Sequence, residues 1–346
     1  MQLSQKILKW FDRHGRHDLP WQQDPTPYRV WISEIMLQQT QVSTVIPYFE
    51  RFIKRFPNIK ILAKANLDTV LQLWAGLGYY ARAKNLHKTA QIIVEIYQGE
   101  FPLDYQQVLQ LPGIGRSTAG AILAISALQP HPILDGNVKR VLSRHFAIEG
   151  WKDDPKVTEK LWRLSEQITP QKRVNHYTQA IMDLGATICT RTKPKCVLCP
   201  IAKTCKALQI GQVLKYPGRK PKQKKPIQAA TLLLLVQPKA KLILLEKRPS
   251  KGIWGGLWSL PECPLNIDIT KWCHKNYQSK IINYESWESF KHSFTHFDLN
   301  IHPVLCKLQK RTKKFLLPNY QWHSWEDAQH LGLPAPVKRL IAKINA

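Results

Sequence analysis

Between Leu3 and about Gly211, apolar residues recur every three or four positions. The runs are Leu3, Ile7, Trp10 and Phe11; Val45, Phe49, Phe52, Ile53 and Phe56; Leu86, Ile93 and Tyr97; and Val157, Leu161, Leu164 and Ile168. This is the period of helices buried along one face, and prolines at 20, 27, 57, 102, 112, 155 and 170 fall between the runs. The pattern predicts an all-α region of roughly ten helices. Further on, the period drops to two. Thr231 to Val236 and Leu242 to Glu246 flank a Pro-Lys-Ala turn, and Phe297, Leu299 and Ile301 alternate with Asp298, Asn300 and His302. With a closing helix from about Pro336 to Ile344, these strands predict a smaller α+β domain. The chain is therefore read as multidomain, with an all-α region over 1–212, a linker over 213–227 and an α+β domain over 228–346. Lys215 to Pro226 holds six basic residues and three prolines and no acid, which fits an extended linker, either close to a polyanion or merely solubilising.

The stretch from Leu111 to Arg140 adds chemistry to this frame. Leu111-Pro-Gly-Ile-Gly115 leads into a small-residue helix, and Leu134-Asp-Gly-Asn-Val-Lys-Arg140 follows a Pro-punctuated loop. Two short helices joined by a Gly-x-Gly turn form a helix-hairpin-helix. Gly113 and Gly115 are expected to take positive φ and leave backbone N–H groups aimed outward, an anion site suited to a DNA phosphate. The flanking Arg116, Lys139 and Arg140 favour that reading over a helix turn with no ligand. Asp135 lies just ahead of a helix that Asn137 is placed to cap, so the helix dipole is expected to favour its ionised form.

Composition narrows the partner. The 346 residues are 44% hydrophobic and 22% charged, a globular balance, but 51 Lys and Arg against 24 Asp and Glu give a net charge of +27. Such an excess points to nucleic acid. The N-terminal Met1 to Trp10 carries Lys6 and Lys9 without an apolar signal core, and the longest apolar run, Leu232 to Val236, is only strand length. A soluble, cytoplasmic monomer with no membrane partner is expected. Four of the seven cysteines, Cys189, Cys196, Cys199 and Cys205, crowd one segment, while Cys263, Cys273 and Cys306 lie apart in sequence. That is metal spacing in a reducing compartment and leaves zinc and iron-sulfur both open. Arg191, Lys193 and Lys195, in the loop between the first two ligands, look like a phosphate grip.

Tyr28 to Gln41 reads as the N-terminus of a helix that carries Glu34 among Val30, Trp31 and Leu37. If that face is buried, the carboxyl is desolvated and its pKa rises. A protonated Glu34 and an ionised Asp135 would divide the cleavage of an N-glycosidic bond, one protonating the departing base, the other stabilising the oxocarbenium-like sugar. Taken singly, a surface Glu and a capping Asp are the commoner readings. Gly76-Leu-Gly-Tyr-Tyr-Ala-Arg82 is read as a flexible loop, followed by Lys84 and Lys88, whose Tyr79 suits a wedge for a flipped base; core packing is an equal reading for Tyr80. Gln38 and Gln39 are placed to bond base edges.

Together the Ser33-Glu-Ile-Met-Leu-Gln-Gln-Thr40 segment, the Gly76 to Arg82 loop, Leu111-Pro-Gly-Ile-Gly115, Leu134-Asp-Gly-Asn-Val138 and the four-cysteine spacing run in order across nearly the whole chain. The set resembles adenine DNA glycosylases of the MutY type. The resemblance implies a helix-hairpin-helix glycosylase with one 4Fe-4S cluster on those cysteines, acting on double-stranded DNA with adenine opposite 8-oxoguanine or guanine. It assigns Glu34 to protonation of adenine N7, Asp135 to stabilising or transiently bonding the cationic sugar, and Asn137 to supporting the site. Tyr79 and Gln38 correspond to groups near the 8-oxoguanine, and the linker is expected to be open to other repair proteins. The related endonuclease III type carries a Schiff-base Lys where this chain has Ser117, so a monofunctional enzyme leaving an abasic site is expected.

In the second domain, Gly256 and Glu262 begin the spacing of a Nudix box. Thr270 then stands at the Arg of that box, and Lys271, His274 and Lys275 stand where its carboxylates would bind Mg²⁺, so no Mg²⁺ is expected. By resemblance this Nudix-like domain reads the lesion through Phe294-Thr295-His296, where Thr295 replaces a Ser. The competing readings are a bifunctional endonuclease III-type lyase and a non-catalytic lesion-binding protein. The latter requires that Glu34→Gln and Asp135→Asn leave every property intact.

Overall fold

The computed structural model describes residues 2–220, 225–278, 280–309 and 318–344. Part of the basic linker, 221–224, lies outside the described residues. The chain divides into two compact units, Met1–Lys64 with Asn85–Lys222, and Ala65–Lys84 with Gln223–Ala346. Up to Gln209 the helices are α1 (Leu3–His14), α2 (Pro27–Leu37), α3 (Val42–Arg55), α4 (Ile59–Lys64), α5 (Leu67–Trp74), α6 (Ala81–Tyr97), α7 (Tyr105–Gln110), α8 (Arg116–Ala127), α9 (Gly136–His145), α10 (Pro155–Ile168), α11 (Val174–Asp183) and α12 (Lys206–Gln209). The periodicity expected fewer because α4, α7 and α12 span six residues or fewer, too short to show a repeat. Sequence sets the starts of several. Thr26 accepts from Arg29 N ahead of Pro27, and Asp154 accepts from Lys156 N and Val157 N ahead of Pro155. Ile7, Leu8, Trp10 and Phe11 of α1 share a core with Val138, Val141 and Leu142 of α9 and Tyr177, Ala180 and Ile181 of α11.

The second unit is a mixed sheet with short helices, as the change of period predicts. Its strands are β1 (Ile227–Gln237), β2 (Leu242–Lys247), β3 (Trp258–Ser259), β4 (Glu262–Cys263), β5 (Ile281–Ser286), β6 (Phe290–Ser293), β7 (Asp298–Leu308) and β8 (Tyr320–Ser324). The order is β3-β2-β1-β7-β5, with β4 on β1, β6 on β7 and β8 on β2. β1 runs parallel to β7, from Ile227 opposite Asp298 to Val236 opposite Lys307, and the other pairs are antiparallel. Leu232 to Val236 are all buried, which explains their unbroken apolar run: a strand covered on both faces has no polar side. The helices α13 (Ile269–Tyr277), α14 (Trp325–Gln329) and α15 (Ala335–Ile344) belong to this unit, as does α5 from the Ala65–Lys84 segment. Cys263, Cys273 and Cys306, distant in sequence, meet in its core beside Leu233 and Tyr277. Among the described residues no helix is long and apolar enough to cross a membrane.

Candidate active site

α7 and α8 form the expected hairpin, and its two glycines differ. Gly113 takes φ 82, and a Cβ there would stand 2.9 Å from Asn85 Cβ. Gly115, expected at positive φ, is instead extended (φ −95, ψ 173) and is the N-cap of α8. A Cβ at Gly115 would meet nothing within 4 Å, so what glycine supplies there is open access to the helix N-terminus. The cations expected around this turn already have protein partners. Arg116 pairs with Glu166 and stacks 4.0 Å over Trp162, Lys139 pairs with Asp153 at 2.7 Å, and Arg140 turns inward.

α9 begins two residues earlier than the capping reading assumed. Asp135, not Asn137, is its N-cap and accepts from Val138 N at 2.8 Å. Asn137, inside the first turn, donates from Nδ2 to Asp135 Oδ2 at 3.1 Å and accepts on Oδ1 from Arg140 Nη2 at 2.9 Å. Arg140 also donates to Gly185 O (2.6 Å) and Cys189 O (2.7 Å). α11 runs into a π-turn, Leu184–Ile188, and there Gly185 permits a close approach: a Cβ on it would lie 2.5 Å from Asn137 Cβ. One guanidinium thus ties the start of α9 to the cysteine segment, a role that neighbouring basic residues in the sequence gave no sign of.

Glu34 sits in the last turn of α2, beyond the helix N-terminus where the sequence reading placed it. It faces Asp135 across a cleft of about 400 Å³ lined also by Arg16, Leu19, Trp21, Gln38, Gln39, Thr40, Ser117, Thr118, Asn137 and Gln179. The volume suits a small ligand. Burial first, then repulsion from Asp135, pushes Glu34 up to about 8. Burial also raises Asp135, against the expectation drawn from the helix dipole alone, while the N–H groups of Val138 and Asn137 and the charge of Arg140 pull it back. Those donors favour the ionised form of Asp135, whereas burial and the neighbouring carboxyl both favour the protonated form of Glu34. Ser117 accepts from Leu134 N at 2.9 Å, fixing the loop ahead of Asp135, and Gln38 donates to Thr118 Oγ1 at 3.4 Å. Arg16 and Gln179, which the motifs did not flag, complete the lining.

Cys189, Cys196, Cys199 and Cys205 all line one small cavity with Arg144 and Ile188. Arg144, 2% exposed, donates to Cys189 Sγ at 3.3 Å and to the carbonyls of Thr190 (2.7 Å) and Arg191 (3.0 Å). Four soft sulfur donors converging in one place fit a thiolate-held centre. Among the described residues, however, no three His, Cys, Asp or Glu side chains form a closed ligand set. Arg191, Lys193 and Lys195 are exposed on this loop.

The remaining candidates lie in the second unit. Tyr79 is 48% exposed with φ 50, and the Arg82 guanidinium lies 5.6 Å from its ring centre. Arg82 and Lys84, expected as loop cations, serve carbonyls instead: Arg82 those of Leu77 and Gly78, Lys84 those of Ser250 and Gly255. Tyr80 donates to Leu333 O at 3.1 Å. Phe294, Thr295 and His296 form the tip of the β6–β7 hairpin, with Phe294 stacked on Phe297 at 4.5 Å and Thr295 and His296 exposed. Lys271, His274 and Lys275 are exposed on α13, and Glu262 pairs with Arg248 at 2.8 Å.

Residues 32–167 match the HhH-GPD superfamily of base excision DNA repair proteins, and residues 231–343 match the NUDIX domain. Adenine DNA glycosylase of Buchnera aphidicola subsp. Acyrthosiphon pisum is 44% identical over 340 residues, 98% of this chain and 96% of that protein. The adenine DNA glycosylase of Mus musculus is 32% identical over 97% of this chain and 76% of its own length. Among solved structures, a thermostable thymine-DNA glycosylase superposes with a TM-score of 0.55 at 26% identity, covering 60% of this chain and 95% of that one.

Proposed function

Since the chain belongs to the adenine DNA glycosylase family, we propose that Glu34 and Asp135 divide the chemistry of adenine release between them as acid and anion. The protein is a base excision repair enzyme that removes adenine from DNA. The observation that carries the division of labour is a single cleft holding two carboxyl groups in unequal settings. Glu34 keeps its proton near neutral pH and passes it to N7 of the departing adenine. Asp135, with its charge fixed by the start of α9, stabilises the cationic sugar or bonds to it transiently, and Asn137 keeps that carboxylate oriented. Ser117 offers no amine to capture the sugar as an imine, so the product is an abasic site in an unbroken strand.

The substrate is double-stranded DNA with adenine opposite 8-oxoguanine or guanine. Gln38, Gln39 and Tyr79 contact the bases, the Gly113–Gly115 turn with Arg116 and Ser117 contacts the backbone, and Phe294, Thr295 and His296 read the lesion. The four cysteines would hold a 4Fe-4S cluster, which when bound cross-links the loop displaying Arg191, Lys193 and Lys195. The enzyme acts as a cytoplasmic monomer.

Single-turnover assays on a duplex with adenine opposite 8-oxoguanine, with and without an alkali step, test this reading. Nicking that needs alkali and disappears in Glu34→Gln is expected. Release of adenine by Glu34→Gln at the native rate, or strand cleavage without alkali, would refute the assignment. Iron and zinc analysis of the purified protein decides the identity of the cysteine centre.

A further inference from the structure

Asp183 closes α11, is 1% exposed and does not line the cleft, yet four donors converge on its carboxylate. Arg16 supplies its backbone N–H (2.8 Å), Nε (3.1 Å) and Nη2 (2.5 Å), and Gln179 supplies Nε2 (2.8 Å). Arg16 precedes Asp183 by 167 residues, on the segment after α1 that continues to Leu19 and Trp21. Arg16, Leu19 and Trp21 form one wall of the cleft, and Gln179, Met182 and Ala186, from α11 and the π-turn, form another. Asp183 is the atom-level joint between these two walls. A carboxylate withdrawn this far from water is held only by a full set of charge-assisted hydrogen bonds, and losing one arm leaves the rest badly paired.

We propose that Asp183 is a positioning residue that staples Arg16 to Gln179, holds the two cleft walls together and keeps water away from Glu34. The inference rests on the reading of Glu34 as the acid. The charged groups lining the cleft with Glu34 are Arg16, from the N-terminal segment, and Asp135, from the start of α9. α8 contributes Ser117 and Thr118, α11 contributes Gln179 and Met182, and the π-turn contributes Ala186, all uncharged. Arg140 acts from behind, on Asp135.

At Arg16 the staple and simple electrostatics act on Glu34 with opposite signs. Removing a positive charge from the cleft lining favours the protonated form of Glu34 and raises its pKa. Opening the wall lets water solvate the carboxylate and lowers it. The test is the single-turnover rate of adenine release against pH for the native enzyme, Arg16→Gln and Arg16→Lys, with folding checked by near-ultraviolet circular dichroism. The native rate falls through the alkaline limb set by Glu34, near pH 8. In Arg16→Gln the limb is expected to move down by about one unit; a limb that stays or moves up overturns the proposal. Arg16→Lys keeps the charge and the backbone donor but loses the forked side chain, so its limb should fall between the other two. A limb identical to the native one in a folded Arg16→Lys enzyme also overturns it, and this variant decides the question if Arg16→Gln does not fold. A native enzyme with no alkaline fall refutes Glu34 as the acid, and that failure is visible before any variant at Arg16 is made.

Discussion

Glu34 in its buried setting costs the fold stability wherever pH is high enough to ionise the same carboxyl in the unfolded chain. Its folded pKa, about 8, lies above its ordinary 4.5. Between those values the folded state keeps a proton that the unfolded chain has released, so this group's contribution to stability falls as pH rises through the window and levels off above it. Glu34→Gln removes that dependence. Its melting temperature relative to the native enzyme should rise progressively from mildly acid pH to about pH 8 and then hold, while adenine release falls by roughly 10²- to 10⁴-fold. Thermal melts across pH check the first, and single-turnover kinetics the second. Glu34 and Asp135 were legible in the sequence because each sits in a short local motif. Arg16, Gln179 and Asp183 were not, because their common bond spans 167 residues and no local pattern announces it. Arg140 was misread for a related reason: a cation near a phosphate-binding turn looks the same in sequence whether it faces outward or donates to Gly185 O and Cys189 O.

At the level of elements, the hydrophobic period located the long helices and the central strands, where one face or both must be dry. It missed the exposed opening of β1 from Ile227 to Ala229, which pairs by backbone bonds with β7 and needs no apolar side chain. It also missed the π-turn after α11, where Gly185 lies too close to Asn137 to carry a side chain. The hairpin glycines give a separable pair of predictions. Gly113→Ala forces a side chain into positive φ and against Asn85, so it should cost about 1–3 kcal/mol in urea unfolding. Gly115→Ala meets open space at an ordinary φ, so stability should change by less than about 0.5 kcal/mol. Duplex affinity should nonetheless fall in Gly115→Ala, because a methyl group then stands over the N-terminus of α8; fluorescence anisotropy on undamaged DNA reads this out.

For the whole molecule, the net charge of +27 sets how binding responds to salt. Affinity for undamaged duplex should fall steeply as salt is raised, each neutralised phosphate adding about 0.9 to the log–log slope. Lys193→Gln, on the exposed cysteine loop, should lower that slope by about one while leaving the base preference unchanged. Glu34→Gln should leave the slope alone. Removing the metal centre proposed on the four cysteines should weaken duplex binding through the same loop and leave the second unit's unfolding transition in place. Charge and cysteine spacing made these global properties legible from composition. The grouping of Ala65–Lys84 with the β-rich unit was not legible, because Tyr80, Lys84 and Asp68 find Leu333, Ser250 and Lys247 only after the chain has folded.

The joint between Arg16 and Asp183 also dictates a timetable for synthesis. α1 is made well before its partners: Val138, Val141 and Leu142 of α9, which share its core, follow more than 120 positions later, and Asp183, which receives Arg16, follows Arg16 by 167. At roughly 5–20 residues per second this leaves the apolar face of α1 waiting for several seconds or more. A nascent chain stopped before α11 therefore carries every residue of the Glu34 and Asp135 motifs and still lacks a finished cleft. Catalytic competence arrives late, with a helix that contributes no catalytic carboxylate of its own.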